Sequence, residues 1–222
     1  MLFDLRGKRR RTVQVTYAAL AFLMAAGLVA FGIGSDTSGG LSDIFTGGGG
    51  GKSTANKTVE KRIEAAEKRL AANPRDQAAL ATIVRSRYSL ASLDTNQQTG
   101  KFGANGKKEL TKAAAAWERY LEANPKKADP SLAAVMLNTF GKNGLNRPSD
   151  AAATAEIIAD TRNDAQAYIR LAACSTVAGQ TRKATLAGDK AVALAPKGQA
   201  KAVKQYIEQA KAAKTAPTLC SQ

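Results

Sequence analysis

Four groups of residues in this chain are of types that could carry chemistry: a glycine run ending in Lys52-Ser53, two cysteines, a row of glutamates and an excess of lysines. The run Gly47–Gly51 before Lys52 and Ser53 is close to the loop that cradles nucleotide phosphates with backbone N–H groups. That loop requires a glycine where this chain has Thr46, and it must follow a buried strand. Here it follows a long apolar segment and a polar linker, so nucleotide binding is not expected. Cys174 and Cys220 are the only cysteines and histidine is absent, which leaves little basis for a zinc site or a Cys/His nucleophile. The two cysteines either form a disulfide that ties the tail to the helices before it, or remain as one buried apolar thiol and one free tail thiol. Glu60, Glu64 and Glu67 stand among lysines at helical spacing, where ion pairing four residues apart is the ordinary use of such carboxylates. No catalytic constellation results, and no enzymatic activity, metal or cofactor is expected.

The charge is more informative. The formal net charge is +15; the first 34 residues hold five cations and Asp4, so removing their net +4 leaves +11 on the remainder. Such an excess suits anionic partners. A nucleic-acid reader would also interleave aromatics with the basic residues, and this sequence does not, so nucleic acid is not an expected partner.

These residues are positioned by a chain with a clear plan. Residues 1–11 contain Arg6, Lys8, Arg9, Arg10 and Arg11; Thr12–Gly34 then runs for 23 residues without a charge. At about 1.5 Å per residue, such a helix crosses a hydrocarbon core of about 30 Å. A cleavable signal has a shorter apolar core, of about 7–15 residues, so the segment reads as an uncleaved signal anchor. The cations precede the span and the next one is Lys52, so the N-terminus is expected in the cytoplasm and the rest of this single-pass membrane protein outside it. Ala26, Ala30 and Gly34 recur every four residues, a face on which two anchors could pack as a homodimer.

Residues 35–56 are rich in glycine and serine and read as a flexible linker. From Lys57 the pattern is helical throughout. Val59, Ile63, Ala66 and Leu70 form one stripe ending at Asn73-Pro74, and Asp76 caps a second helix carrying Leu80, Ile83, Val84 and Leu90. Thr95–Gly106 reads as a loop anchored by Phe102. A third helix, Lys107–Ala123, places Leu110, Ala113, Ala114, Trp117 and Leu121 inward. Asp129-Pro130 opens a fourth, running to about Phe140; Arg147-Pro148-Ser149 starts a fifth, and Asp164 caps a sixth, Ala165–Ala178. A seventh spans Arg182–Leu194 and an eighth Gln199–Ala213. The class is all-α: an N-terminal transmembrane helix, a flexible linker, then over 57–214 an α-solenoid of about three helical hairpins plus a C-terminal capping helix, with 215–222 as a tail.

The window from Ala165 to Pro196 carries Tyr168 at its position 4, Leu171 at 7, Ala172 at 8, Gly179 at 15, Ala184 at 20, Ala191 at 27 and Pro196 at 32. This pattern resembles the tetratricopeptide repeat, in which small residues at 8, 20 and 27 let two helices approach and proline stops the second. Gly188 departs from it, because position 24 is usually bulky. The whole chain resembles bacterial single-span envelope proteins that carry a tetratricopeptide domain outside the cytoplasm. That resemblance implies a membrane-anchored, non-catalytic scaffold for assembling or escorting cell-envelope proteins, with a concave groove for peptide or helical segments of its partners. Carried onto these repeats, the groove positions fall at Arg85, Tyr88, Val135, Lys142, Gln166, Ile169 and Thr176, with Arg85 and Lys142 as anchors for an acidic ligand. The alternative expectation is electrostatic binding of an anionic envelope polymer or lipid surface through the basic C-terminal helices.

Overall fold

In a computed structural model, the described residues are 51–221 apart from residue 124, and the compact unit is Ala55–Gln222. The expected membrane span, Thr12–Gly34, lies outside the described residues, as does most of the linker. No helix among the described residues is long and apolar enough to cross a membrane.

The domain is all-helical. Its helices are α1 (Gly51–Ala72), α2 (Gln77–Ser92), α3 (Ala104–Glu122), α4 (Pro130–Phe140), α5 (Pro148–Arg162), α6 (Ala165–Val177), α7 (Thr181–Ala193), α8 (Ala200–Lys211) and α9 (Ala216–Ser221). The boundaries follow capping chemistry. Asp76, Asp129 and Asp164 each accept a hydrogen bond from a first-turn N–H, at 3.0, 2.8 and 2.8 Å from Ala79, Ser131 and Ala167, and Pro130 and Pro148 open α4 and α5. Two expectations are corrected at the ends. The helix predicted from Lys57 already begins at Gly51, because the polar residues before Lys57 extend its register. The residues after the eighth helix are no loose tail, since they form α9.

Helix α3 is capped from a distance. Its own N-cap is Gly103, which has no side chain, and the first turn is served by Asp94 from the end of α2. The Asp94 carbonyl accepts from the Gly103 N–H at 2.7 Å and its carboxylate from the Gly106 N–H at 2.8 Å. A Cβ at Gly106 would stand 2.9 Å from the Ala91 carbonyl oxygen, so glycine is what lets α3 start this close to α2. Asp94→Ala is expected to lower unfolding free energy by about 1–2 kcal/mol, read by urea denaturation, with Asp94→Asn losing less because its amide oxygen still accepts.

Packing runs in successive pairs: α2 against α3, α4 against α5, α6 against α7, with α5 also on α6 and α4 on α2. The interior is largely alanine, with larger side chains spaced along it: Leu80, Val84, Leu110, Trp117, Leu132, Met136 and Ile158 are all buried. Small residues allow close helices, and Ala172, Ala184 and Ala191 are buried where α6 and α7 meet. Leu121, expected inward, is exposed, and the stripe on α3 turns instead through Trp117 to Tyr120, whose rings stack at 5.4 Å between centroids. The Gly188 departure has a steric cause: a Cβ there would lie 2.8 Å from Ile207 Cγ2, so α8 occupies the space a bulky residue would fill. Helix α1 is held by Ile63, Ala66 and Leu70 and by Arg87 of α2, which pairs with Glu67 of α1 at 3.3 Å and Glu109 of α3 at 2.9 Å.

Three carboxylates are held below their ordinary range. Hydrogen bonding from the Ala79 N–H, aided by Arg69, does so at Asp76. At Glu109 and Asp129 burial pushes the carboxyl up, but it is outweighed by Lys112 and Arg87 at the first and by the Ser131 and Leu132 N–H groups and Arg85 at the second. A depressed folded value means that the unfolded chain takes up protons first as pH falls, so this stability is present above the unfolded values and is lost below them. The melting temperature should hold between about pH 5 and 7 and fall below about pH 4. A melting temperature unchanged at pH 3 would show that these contacts contribute nothing.

Candidate groove site

The lining of one groove, of about 650 Å³, draws on four parts of the chain. Tyr88 and Ser92 come from the last turns of α2, Thr95 to Phe102 from the loop after it, Asn138 to Asn143 from the end of α4 and its turn, and Pro217, Thr218 and Ser221 from α9.

The loop is ordered by local hydrogen bonds. The Asn96 carboxamide oxygen accepts from the N–H groups of Gln98 and Thr99 at 3.0 and 2.8 Å and from the Thr99 hydroxyl at 3.0 Å. Thr95 and Phe102 pair as an isolated antiparallel bridge, and the Phe102 N–H reaches across to the Asn143 carbonyl at 3.2 Å. Phe102 thereby sets its ring edge-on to Tyr88, at 6.0 Å between centroids and 62° between planes. Burial pushes the Tyr88 phenol up, against the opposing effect of its hydrogen bond with Asn138, so it stays a neutral donor and acceptor at physiological pH. The Thr95 hydroxyl is buried without a hydrogen-bond partner. No carboxylate lines the groove, and Lys142 stands exposed on its rim.

The arrangement offers hydroxyls, carboxamides, an aromatic edge and one cation. It can hold a polar chain by hydrogen bonds, and it presents no adjacent nucleophile and base. Among the described residues no group of three His, Cys, Asp or Glu side chains stands close enough to hold a metal ion.

Of the seven groove residues expected from the sequence, Tyr88 and Lys142 line this site. Arg85 does not: it forms an ion pair with Asp129, the N-cap of α4, and so ties α2 to α4. Asp129 is fixed for that role by donating its N–H to the Tyr120 hydroxyl at 3.1 Å. Val135 and Ile169 are half-buried against the core, Gln166 is exposed on the first turn of α6, and the Thr176 hydroxyl donates to the Ala172 carbonyl within α6. None of these lines the groove. Cys174 and Cys220 are joined as a disulfide, and α9 packs along α6. Asn138 and the α9 residues escape a reading of the sequence; the one signal that points to them is Cys220 itself, a possible partner for Cys174.

Comparison with family models, characterised proteins and solved structures finds no match to the chain. The functional reading therefore rests on its own residues.

A second cleft, between α5, α6 and α7, is bridged by Lys183 and Glu156 at 2.8 Å and edged by Leu186, which is 60% exposed. It lies among the basic C-terminal helices. From Arg182 onward only Lys183 has a salt-bridge partner among the described residues, whereas Arg182, Lys190, Lys197, Lys201, Lys204, Lys211 and Lys214 form no such pair.

Proposed function

We propose that this chain is a membrane-anchored, non-catalytic interaction scaffold of the cell envelope. In this reading Thr12–Gly34 is the anchor and the helical domain is a tetratricopeptide-like solenoid, with hairpins α2/α3, α4/α5 and α6/α7 and α8 as the cap. Its groove takes peptide or helical segments of other envelope proteins, and bound partners are escorted or assembled at the membrane. The observation that supports it most is the groove itself: Tyr88, Asn138 and Lys142 come from helices α2 and α4 and the turn after them, and converge on one polar, carboxylate-free surface. Such a lining favours main-chain amides and acidic side chains of an extended segment.

The test is site-specific photocrosslinking in cells, with the reactive group at position 138 or 142 of the full chain. A discrete adduct, reduced at least tenfold by Tyr88→Ala in the same chain and absent when the group is moved to position 115 on α3, is the expected outcome. Equal labelling from position 115, or none from the groove, would remove the scaffold reading.

A second reading is supported by the unpaired cations of the C-terminal helices: adhesion to an anionic polymer or lipid surface. Exposed charges are screened beyond about 10 Å at 0.1 M salt and about 3 Å at 1 M, so sedimentation of a chain lacking residues 1–34 with acidic vesicles should be lost as salt rises from about 0.1 to 1 M. Binding that survives salt would exclude it.

A further inference from the structure

The groove of this domain is lined in part by the chain's own tail. Helix α9 has six residues, too short to persist as an isolated helix in water. It is helical because it is docked: Ala216 is fully buried, Cys220 nearly so, and Leu219 packs against the core, while Pro217, Thr218 and Ser221 face the groove. The residue pattern is a small side chain followed three and four positions later by an apolar pair. The seat is α6, whose Cys174 is completely buried in the last turn. Apart from the chain connection through Ala212–Thr215, the Cys174–Cys220 bond is the only covalent hold on this segment.

We propose that the surface of α6 under α9 is a peptide-docking site for short segments of this small-apolar-apolar pattern, and that the Cys174–Cys220 disulfide decides whether the chain's own tail fills it. The switch is a two-electron exchange with a dithiol reductant. One thiolate of the reductant attacks Cys220 Sγ, the S–S bond breaks, and Cys174 departs as a thiolate that takes a proton. The second thiol of the reductant then displaces Cys220 as a thiol, and the reductant leaves oxidised to its own disulfide. Both cysteines end reduced, and α9 is held only by its small buried face. Opening bares the α6 surface around Cys174, beside the edge where α9 meets the groove lined by Tyr88 and Lys142. The groove's role rests on the scaffold reading; the release of the tail does not.

The release is read on the full chain in detergent micelles, treated with trypsin with and without dithiothreitol, with products identified by mass spectrometry. Lys211 ends α8, and Lys214 stands two residues before the start of α9. Cleavage after Lys214 should quicken at least tenfold on reduction, while cleavage after Arg170 within α6 and far-ultraviolet helicity stay unchanged. Unchanged cleavage after Lys214 would overturn the proposal, and so would a collapse of helicity throughout the domain, which would make the bond a staple of the whole fold. The docking arm uses the full-length Cys220→Ser chain and a synthetic peptide of residues 214–222 with its native cysteine. Supplied as its mixed disulfide with glutathione, the peptide should be transferred to the Cys174 thiolate, with glutathione leaving as the thiol, at least tenfold faster than a scrambled peptide of equal composition carried on the same leaving group. Reduced wild-type chain treated in the same way should return to the Cys174–Cys220 bond and release the peptide, because its own tail is tethered beside the seat. Equal rates for the two peptides would overturn the docking site. A released tail and a selective peptide, together with no adduct from position 142 in cells, would instead remove only the scaffold reading.

Discussion

Trp117→Ala is expected to cost about 3–5 kcal/mol of unfolding free energy, a large share of the stability of a domain this size. Trp117 is 2% exposed and its loss would leave a void between α3 and α2. The damage would extend past the cavity. The indole stacks on Tyr120, whose hydroxyl receives the Asp129 N–H, and Asp129 both caps α4 and holds Arg85. One truncation thus loosens the tie between the first and second hairpins. Urea denaturation followed by circular dichroism measures it, with Leu121→Ala, on the exposed side of the same helix, as the control expected to change stability by less than about 0.5 kcal/mol. A loss below about 1 kcal/mol at Trp117 would mean that the interior closes around the gap.

Gly188→Leu is expected to cost roughly 1–3 kcal/mol, in spite of the gain of up to about 1 kcal/mol that any helical glycine gives on replacement. The gain is local and the cost is not. Ile207 Cγ2 already stands 2.8 Å from where the new Cβ would be, and Ile207 is branched at Cβ, so the side chain has little freedom to retreat. Helix α8 must shift away from α7. Adding Ile207→Ala to Gly188→Leu should cost less than the sum of the two single changes by about 1 kcal/mol or more, because the second makes the room that the first needs. Simple additivity would show that α8 does not rest on this contact in solution.

The two sites also show where sequence reasoning stops. The apolar stripes, the aspartate caps and the proline stops are local signals, and they locate the helices to within a few residues. Gly188 is visible in the sequence as an oddity; its meaning needs Ile207, 19 positions away, to be placed against it. Arg85 illustrates the same limit for the site. A cation on a helix face reads as available for a ligand until the cap of a helix 44 residues later takes it. Tyr88 and Lys142 are legible as a residue near the end of α2 and one in the turn just past α4, positions that the apolar stripe and Gly141 locate. Asn138 is not, since nothing short-range distinguishes one exposed carboxamide from another. The tail is hidden for a further reason: no propensity favours a six-residue helix, and what forms α9 is its contact with α6.

The bond between Cys174 and Cys220 has a mechanical meaning as well. The two residues are 46 positions apart, and they close most of α7, α8 and α9 into a covalent ring. Tension applied between the two ends of the chain passes through the sulfur atoms and bypasses everything inside the ring. At about 3.5 Å per extended residue, the ring withholds roughly 160 Å of contour that a reduced chain would give up. A pull on the two ends therefore loads the helices before Cys174 and spares those inside the ring.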